Sequence, residues 1–329
     1  MRIAFFSSKP YDEEYFETHN KAYGFEFVYF ETALNPKTTH LTKGFDAICI
    51  FVNDVIDRNM MPHLSKNGIL LITLRCAGFN NVDLEAAKAN QISVARVPAY
   101  SPESIAEHTL ALILTLNRKT HKAYNRVREG NFSLNKLMGF NLHGKQVGVI
   151  GTGKIGSTFC KVMTGLGCKI VAFDVNESQT LINQGIDYVS LNNLFETSDI
   201  ISLHCPLTDK TKHIIDKDSL EVMKDGVMLI NTSRGALINT QAAIHALMSK
   251  KIGYLGIDVY EQEEDLFFKD LSETVIEDED ILRLNSFPNV LITSHQAYFT
   301  KEAMEEITLT TLENIKAFEQ RLPNPNSLS

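Results

Sequence analysis

The stretch QVGVIGTGKIG, residues 146–156, decides the fold of this chain. A short apolar run passes directly into the pattern Gly-x-Gly-x-x-Gly, and apolar residues after Gly156 recur at helical spacing. In such a strand–loop–helix unit, Gly151 permits a tight turn and Gly153 lets the backbone approach a pyrophosphate, while Gly156 lets the helix pack closely on the strand. The stretch therefore predicts the start of a Rossmann fold, with dinucleotide phosphates at the amino terminus of the helix.

An acid at the end of the next predicted strand refines this prediction. Asp174 stands where a Rossmann fold meets the adenosine ribose, and a carboxylate there accepts hydrogen bonds from ribose hydroxyls and repels a 2′-phosphate. The following Val175 and Asn176 supply no cation that would favour NADP. The alternative is an ordinary βα turn that ends in an acid. The pattern favours NAD, with predicted contacts at Gly151, Gly153, Lys154, Ile155, Gly156 and Asp174.

Short apolar runs alternate with amphipathic stretches along most of the chain, which is typical of parallel α/β sheets covered on both faces. A chain of 329 residues fits two compact domains. The predicted strands fall into two series, Ile3–Phe6, Glu26–Phe30, Ala47–Val52, Leu70–Leu74 and Ser93–Val97, then Gln146–Ile150, Lys169–Phe173, Ile200–Leu203, Val227–Asn231, Tyr254–Asp258 and Val290–Thr293. Between the series, Ser101 followed by Pro102 predicts the start of a long helix. Residues from Lys301 to about Gln320 predict a last helix.

Composition excludes several classes of function. The formal net charge is −8 and no run of Lys or Arg stands out, so we expect no nucleic-acid partner. The 5 cysteines are odd in number, scattered and never spaced as Cys-x-x-Cys, which favours reduced thiols in the cytoplasm over disulfides or a metal site. The apolar run at the amino terminus is too short for a signal peptide or a membrane span.

Reactive side chains follow three predicted strands of the second series. Arg234 comes just after a buried strand, where a guanidinium could bind a carboxylate or anchor a loop by an ion pair. A cluster of acids, residues 261–264, follows the next strand and is of a kind that usually lies on the surface. His295 directly follows the last strand. Because ligands bind at the carboxyl ends of strands in doubly wound sheets, these three groups are candidates for the chemistry.

Four motifs in this order resemble the D-isomer-specific 2-hydroxyacid dehydrogenase family: the glycine loop and residues 231–235, 256–261 and 294–297. The resemblance extends over essentially the whole chain. It implies two doubly wound parallel-sheet domains. A flavodoxin-like catalytic domain would comprise residues 1–100 and 299–329, and an inserted Rossmann NAD-binding domain would comprise residues 101–298.

The resemblance also implies roles for individual residues. His295 is expected to be the acid/base that protonates the substrate carbonyl, Glu263 to pair with it and favour its charged form, and Arg234 to bind the substrate. Glu261 and Glu264 are then expected to be ordinary surface acids. Further expected cofactor contacts are Cys205, Pro206, Thr211, Thr232, Ser233 and Asp258. At Thr211 many members of the family carry Asn. Backbone N–H groups of Ala77 and Gly78 are expected to hold the substrate carboxylate, with Tyr100 beside them.

Two positions near these candidates stay open on sequence grounds. His204 could contact the cofactor or be a structural histidine at a strand end. Arg75 could help to bind the substrate or brace its own loop, and bracing is the favoured interpretation.

The expected substrate is a small 2-oxo acid. The candidate pocket walls Phe51, Tyr100, Tyr298 and Phe299 are bulky, and no second cation is evident for a phosphate or a second carboxylate. These features favour reduction of pyruvate over phosphoglycerate or oxaloacetate chemistry. The alternatives are another small D-2-hydroxy acid, or an NAD-binding scaffold of the corepressor kind. The apolar helix after Ser101 predicts a homodimer or homotetramer.

Overall fold

The computed structural model describes residues 1–328 and divides the chain into two compact units. One unit comprises Met1–Ser101 and Tyr298–Ser329, and the other comprises Pro102–Ala297. Each unit is built on its own parallel sheet, so the predicted α/β class with two doubly wound sheets is confirmed. No helix within the described residues is long and apolar enough to cross a membrane.

The strands, numbered in chain order, are β1 (Arg2–Phe5), β2 (Glu26–Tyr29), β3 (Ala47–Ile50), β4 (Leu71–Leu74), β5 (Ser93–Arg96), β6 (Gln146–Ile150), β7 (Lys169–Phe173), β8 (Asp187–Tyr188), β9 (Ile200–Leu203), β10 (Val227–Asn231), β11 (Ile252–Ile257) and β12 (Val290–Ile292). Every predicted strand is present within one or two residues at each end. Strand β8 alone is not predicted from the sequence, because two residues at a sheet edge are too short to show a periodic pattern.

The α-helices are α1 (Pro10–Asn20), α2 (Met61–Lys66), α3 (Leu84–Ala89), α4 (Pro102–Arg118), α5 (Thr120–Arg128), α6 (Lys154–Gly165), α7 (Gln179–Asn183), α8 (Leu191–Thr197), α9 (Lys217–Val222), α10 (Thr240–Met248), α11 (Glu279–Ser286) and α12 (Lys301–Glu319). The long helix begins at Pro102, as the sequence predicts. Thr300 caps α12, because its hydroxyl oxygen accepts a hydrogen bond from the N–H of Ala303.

The unit that contains both chain termini has a five-stranded sheet in the order β2-β1-β3-β4-β5. This is the flavodoxin-like order, and all the strand pairs are parallel. The central strands β3 and β4 are fully buried, because α12 covers one face of the sheet and apolar residues of α2 and α3 pack on the other. The loops that follow β3 and β4 carry the candidate residues of this unit.

The other unit has a seven-stranded sheet in the order β12-β11-β10-β9-β6-β7-β8. The direction of winding changes between β6 and β9, and this switch point is where a doubly wound sheet binds its ligand. Helices α4 and α6 pack on one face, and the core on the other face includes apolar residues of α8, α9 and α10. Asp174, Cys205, Arg234, Asp258 and His295 all lie at the carboxyl ends of these strands.

Candidate functional site

The glycine loop joins β6 to α6 as the sequence predicts. Gly151 has a φ of +92°, in the left-handed region, and a Cβ there would lie 2.5 Å from the backbone nitrogen of Cys205. A Cβ on Gly156 would lie 1.9 Å from the carbonyl oxygen of Gly151. Both positions therefore require glycine for packing inside the protein itself.

Gly153 differs from these two glycines. A Cβ built on Gly153 meets no other described atom within 4 Å, and its φ of −61° is open to any residue. Neither packing nor backbone conformation explains this glycine. It lies directly before Lys154, the first residue of α6, where backbone N–H groups have no partner within the helix. The loop therefore fits a dinucleotide, whose phosphates would occupy the space that a side chain at Gly153 would fill.

Asp174 directly follows β7 and is fixed against the glycine loop. Its Oδ2 accepts hydrogen bonds from the N–H of Thr152 at 2.6 Å and from the hydroxyl of Thr152 at 3.2 Å. Its Oδ1 accepts from the N–H of Asn176 at 3.0 Å. The Thr152 hydroxyl also lies 2.7 Å from the hydroxyl of Tyr188. Thr152 and Tyr188 hold the acid in place, and the sequence analysis did not single out either residue.

The loop after β9 carries Cys205, Pro206 and Thr211. Cys205 is buried against the glycine loop, and Pro206 is exposed. The Thr211 hydroxyl donates to the carbonyl oxygen of Pro206 at 2.6 Å and accepts from the N–H of Thr208 at 2.8 Å. Thr211 therefore closes its own loop, and its role at the cofactor stays a prediction.

His204 is a structural histidine in this arrangement. Its Nε2 lies 2.9 Å from the hydroxyl oxygen of Ser202, and its ring packs against Phe159 with centroids 4.9 Å apart. Desolvation of the ring lowers the pKa of His204 to about 3, so the imidazole is neutral at physiological pH.

Arg234 follows β10 on a loop that its neighbours hold rigidly. Asn231 donates to the carbonyl oxygen of Arg234 at 2.8 Å, and Ser233 donates to that of Cys205 at 2.7 Å. The Thr232 hydroxyl lies 2.9 Å from that of Thr109 on α4. The half-buried Arg234 guanidinium donates to the carbonyl oxygen of Ser233 at 2.7 Å and forms no ion pair with any residue that the structure describes. A cation held in this way is available to an anionic ligand.

His295 and Glu263 form the predicted pair. The Nδ1 atom of His295 lies 2.8 Å from Oε1 of Glu263, and the two side chains are only 13% and 16% exposed. Oε2 of Glu263 accepts a hydrogen bond from the N–H of Tyr260 at 2.9 Å, so the carboxylate is fixed on both sides. With Nδ1 bonded to Glu263, proton exchange between Nε2 of His295 and a substrate stays a prediction.

Asp258 lies behind His295 and is completely buried. Its carboxylate accepts hydrogen bonds from the N–H groups of Gln296 at 2.9 Å and Ala297 at 2.8 Å and from the hydroxyl of Thr293. Burial opposes its ionisation, but the hydrogen bonds from His108 and Thr293 outweigh that effect and lower the pKa of Asp258. These bonds hold the loop on which His295 adopts a left-handed φ of +53°. A direct contact between Asp258 and the cofactor stays a prediction.

The expectation that Glu261 is an ordinary surface acid is wrong. Its Oε1 lies 2.6 Å from Nε2 of His213, and its Oε2 accepts from the N–H of Thr240 at 3.2 Å and from the Thr240 hydroxyl at 2.9 Å. The carboxylate is only 21% exposed. Charge patterning along the sequence cannot show a partner 48 residues away. Glu264, by contrast, is exposed.

In the unit that contains both termini, Ala77 and Gly78 follow β4. Neither backbone N–H group donates a hydrogen bond to any residue within 1–328, although both residues are half-buried. Two adjacent unsatisfied donors form a ready site for a carboxylate. The carbonyl oxygen of Ala77 accepts from Arg96 at 2.6 Å, which fixes the loop. Tyr100 is half-buried, and its ring centroid lies 6.0 Å from that of Tyr298.

The contacts of Arg75 fit the favoured interpretation that it braces its own loop, and a part in substrate binding stays untested, since its NH1 atom is buried without a hydrogen-bond partner in residues 1–328. Arg75 is 2% exposed, donates to the carbonyl oxygen of Ser7 at 2.7 Å, and lies 3.6 Å from Oδ2 of Asp12. The guanidinium carbon stands 4.4 Å from the ring centroid of Phe5 and 4.8 Å from that of Phe51. These contacts hold Arg75 inside the unit.

Tyr298 and Phe299, the remaining candidates for the walls of the substrate pocket, differ in their exposure. Tyr298 is buried among Val97, Met304 and Ile307, and its ring centroid lies 6.0 Å from that of Phe51. Phe299 is 47% exposed and packs its edge on Tyr11. Among the residues that the structure describes, no group of three or more His, Cys, Asp or Glu could hold a metal ion.

Comparison with known proteins places this geometry in context. Residues 110–297 match the family described as "D-isomer specific 2-hydroxyacid dehydrogenase, NAD binding domain". The D-lactate dehydrogenase of Escherichia coli strain K12 is 50% identical over 328 residues, which cover 100% of both chains. D-lactate dehydrogenase kk1H of Curvularia clavata is 46% identical over 332 residues, with 100% of this chain and 95% of that protein covered.

Solved structures agree over the full length. The apo structure of D-lactate dehydrogenase from Escherichia coli superimposes with a TM-score of 0.91 at 47% identity, covering 100% of each chain. The Aquifex aeolicus D-lactate dehydrogenase, complexed with NAD and lactic acid, gives a TM-score of 0.87 at 36% identity, covering 97% of this chain and 96% of that one.

Proposed function

The chain belongs to the D-isomer-specific 2-hydroxyacid dehydrogenase family, and we propose that it is an NAD-dependent D-lactate dehydrogenase that reduces pyruvate. The carrying observation is the His295–Glu263 pair at 2.8 Å, at the same sheet edge as the glycine loop and Asp174. A proton donor and a dinucleotide site at one edge are what reduction of a carbonyl requires. The bulky side chains Phe51, Tyr100 and Tyr298 favour a substrate as small as pyruvate.

The chemistry assigned to the protein is proton transfer and orientation. NADH, when bound, supplies the hydride that reduces the carbonyl carbon. His295 transfers its Nε2 proton to the carbonyl oxygen, so that one hydride and one proton convert the 2-oxo acid to the 2-hydroxy acid. Glu263 accepts the hydrogen bond from Nδ1 and so orients the ring for that transfer. In the reverse direction, neutral His295 accepts the hydroxyl proton.

Substrate orientation is assigned to two groups of donors. Arg234 forms no ion pair within the described chain, so its guanidinium can bind the substrate carboxylate and carbonyl oxygen together. The unsatisfied N–H groups of Ala77 and Gly78 are proposed as further donors to the carboxylate. Fixing these two substrate groups determines which carbonyl face receives the hydride.

The test is a set of assays that follow NADH absorbance with pyruvate and with 2-oxoisocaproate. We expect kcat/KM to be higher for pyruvate, by about 10-fold or more, because each additional methylene must fit among bulky walls. Higher kcat/KM with 2-oxoisocaproate would contradict the lactate assignment. Binding of NADH without turnover of any 2-oxo acid would favour a scaffold role.

Preference for NAD is proposed to depend on Asp174. Replacement of Asp174 by Ala removes the charge that repels a 2′-phosphate, so kcat/KM with NADPH is expected to rise relative to NADH by about 10-fold or more. Asp225→Ala is the control, because Asp225 lies just before β10, at the amino ends of the strands, and is 91% exposed. An unchanged cofactor ratio in Asp174→Ala would remove Asp174 from cofactor selection.

Assembly with a second copy of the chain is proposed from an exposed apolar segment on and after α5. Five of its large apolar side chains are more than half exposed: Tyr124 at 61%, Val127 at 51%, Phe132 at 75%, Leu134 at 82% and Met138 at 86%. The helix named in the sequence analysis, α4, instead buries most of its apolar residues within its own unit. A row of exposed apolar side chains of this size indicates a surface that is covered by another chain.

Light scattering tests this assembly. We expect a dimer or tetramer for the unaltered protein and a shift toward monomer for Leu134→Asp. Val275→Asp, at an equally exposed valine (85%) outside the segment, should leave the mass unchanged. A monomeric unaltered protein would overturn the proposal.

Location in the cytoplasm is proposed from the thiols. Cys49, Cys160, Cys168 and Cys205 are buried and free in the described part of the chain. Buried free thiols persist in a reducing compartment. Fractionation of cells of the source organism, followed by detection of the chain, would check this assignment.

A further inference from the structure

A second histidine–carboxylate pair has its acid on the same loop as the acid of the first pair. Glu261 and Glu263 are two residues apart, and each accepts a hydrogen bond from a histidine. Glu263 meets His295, whereas Glu261 meets His213, with 2.6 Å between Nε2 and Oε1. The roles assigned above make no use of His213 or Glu261.

The second pair joins three loops of the Rossmann unit. His213 belongs to the loop after β9, and its N–H donates to the carbonyl oxygen of Ala236 at 2.8 Å. The other oxygen of Glu261 accepts from the backbone and hydroxyl of Thr240, the first residue of α10. The segment from Ala236 to Thr240 is the continuation of the loop that carries Arg234. One end is therefore bonded to the backbone of His213, and the other is bonded to the side chain of Glu261.

The backbones of two of these loops are in direct contact. A Cβ on Gly235 would lie 2.1 Å from the carbonyl carbon and oxygen of Tyr260 and 2.4 Å from the nitrogen of Glu261. No side chain fits between the residue after Arg234 and the residues before Glu263. Because such close packing does not absorb a shift, displacement of one loop is transmitted to the other.

The Glu261 carboxylate of this pair is charged although it is partly buried. Burial disfavours the Glu261 carboxylate, but hydrogen bonds from His213 and Thr240 outweigh it and lower the pKa of Glu261. The carboxylate is therefore ionised at neutral pH. A charge-assisted bond between groups that are 31% and 21% exposed is stronger than an ion pair in open solvent.

We propose that His213 and Glu261 are positioning residues, which hold Arg234 and Glu263 in register for binding and protonation of the substrate. This inference rests on the proposed function, since it concerns how that reaction's substrate is oriented. Neither residue is assigned a contact with the reacting atoms. A displacement of about 1 Å in a substrate-binding group can lower catalytic efficiency by up to about 100-fold, which sets the scale of the effect.

The experiment compares His213→Leu with His213→Gln. Residue 213 has a φ of +54°, so both replacements carry backbone strain of the same kind, and the difference between them reports the side chain. Gln can place an N–H close to the position of Nε2, whereas Leu cannot. We expect His213→Leu to raise KM for pyruvate by about 10-fold or more and His213→Gln to restore most of that loss. The dissociation constant of NADH, measured by fluorescence, should change by less than about 3-fold in both.

Two further variants separate positioning from stability. His245→Gln, at an exposed histidine on α10, is the control and should have the kinetics of the unaltered protein. The double variant His213→Leu/Arg234→Lys should lose less than the product of the two single losses, because both changes act on one interaction.

The outcomes are distinct. Unaltered pyruvate kinetics in His213→Leu, with only a lower melting temperature, would overturn the inference and leave the proposed function standing. Multiplicative losses in the double variant would likewise overturn the path through Arg234. If the unaltered protein reduced no 2-oxo acid, the proposed function would fall, and the inference would fall with it.

Discussion

Arg75 and Arg234 both follow buried strands at the carboxyl edge of a parallel sheet, yet their surroundings differ. Arg75 is 2% exposed, lies between the rings of Phe5 and Phe51 and is 3.6 Å from Asp12. Arg234 is half-buried, and its described side-chain hydrogen bond is to the carbonyl oxygen of its neighbour Ser233. A guanidinium surrounded by acid and aromatic groups is a structural element. One that is held by its own loop without a counter-ion in residues 1–328 is placed for a ligand.

The acids of the two units differ in the same way. Burial raises the pKa of Asp12 and of Asp54 in the unit with both termini, although Arg75 opposes this shift. In the Rossmann unit, hydrogen bonds outweigh burial and lower the pKa of Asp258 and Glu261. The single charge of Arg75 only partly compensates the cost of ionising the two buried carboxyl groups of Asp12 and Asp54, so their pKa values stay raised. Asp258 and Glu261 instead have enough hydrogen-bond donors to be ionised at neutral pH.

The largest effect is expected at His295, where His295→Gln should lower kcat by about 100- to 10,000-fold because the proton donor is lost. Binding of NADH, followed by fluorescence titration, should be nearly unchanged. Residue 295 has a φ of +53°, a conformation that Asn tolerates better than Gln. His295→Asn should therefore lose as much activity as His295→Gln. If His295→Asn is active and His295→Gln is not, the loss of activity in His295→Gln is due to backbone strain rather than to the missing imidazole.

Arg75→Met should lower the free energy of unfolding by about 3–5 kcal/mol, because Asp12 and Asp54 then lose their buried cation. Urea denaturation followed by circular dichroism gives this value. If Arg75→Met is as stable as the unaltered protein but has lost its affinity for pyruvate, Arg75 is a ligand-binding group. The contrast between Arg75 and Arg234 would then be wrong.

Arg234→Met should lower activity rather than stability, the reverse of what we expect for Arg75→Met. We expect kcat/KM for pyruvate to fall by about 10- to 150-fold. This range corresponds to the loss of one charge-assisted hydrogen bond, which contributes about 1.5–3 kcal/mol. The free energy of unfolding, measured with urea, should change by less than about 1 kcal/mol, because no acid in residues 1–328 loses an ion-pair partner. A large loss of stability with unchanged kinetics would mean that Arg234 is a brace like Arg75.

The smallest effect concerns pH and Asp12. A carboxyl whose folded pKa is raised contributes stability that is present below its unfolded pKa, near 3.8, and lost as pH rises through the folded value. Asp12→Asn lacks this contribution, so its unfolding free energy relative to that of the unaltered protein, measured by urea denaturation, should increase between pH 4 and pH 7. Asp258, whose pKa is lowered, loses its contribution as pH falls below about 4, so Asp258→Asn should show the opposite dependence in that range. The same sign in both variants would contradict the contrast between the units.

Sequence reasoning succeeded where the signal is local. The strands, the glycine loop and the start of α4 at Pro102 follow from hydrophobic period and from the backbone demands of Gly and Pro within short windows. It failed where two distant segments decide. Glu261 was expected on the surface because a cluster of acids usually lies there, and its partners His213 and Thr240, 48 and 21 residues away, leave no local signal. Thr152 and Tyr188, which hold Asp174, went unnoticed for the same reason.

By itself, the sequence determined the α/β class, the glycine loop with its acid, and the choice of Arg234 and His295 as candidates, whereas the family resemblance singled out Glu263. These properties depend on residue type and spacing along the chain. Only the tertiary structure decided that Arg75 is committed while Arg234 is available, and that Glu261 ties three loops together. The physical reason is that the state of a charged side chain depends on its burial and its partners. Those partners come from segments that only folding brings together.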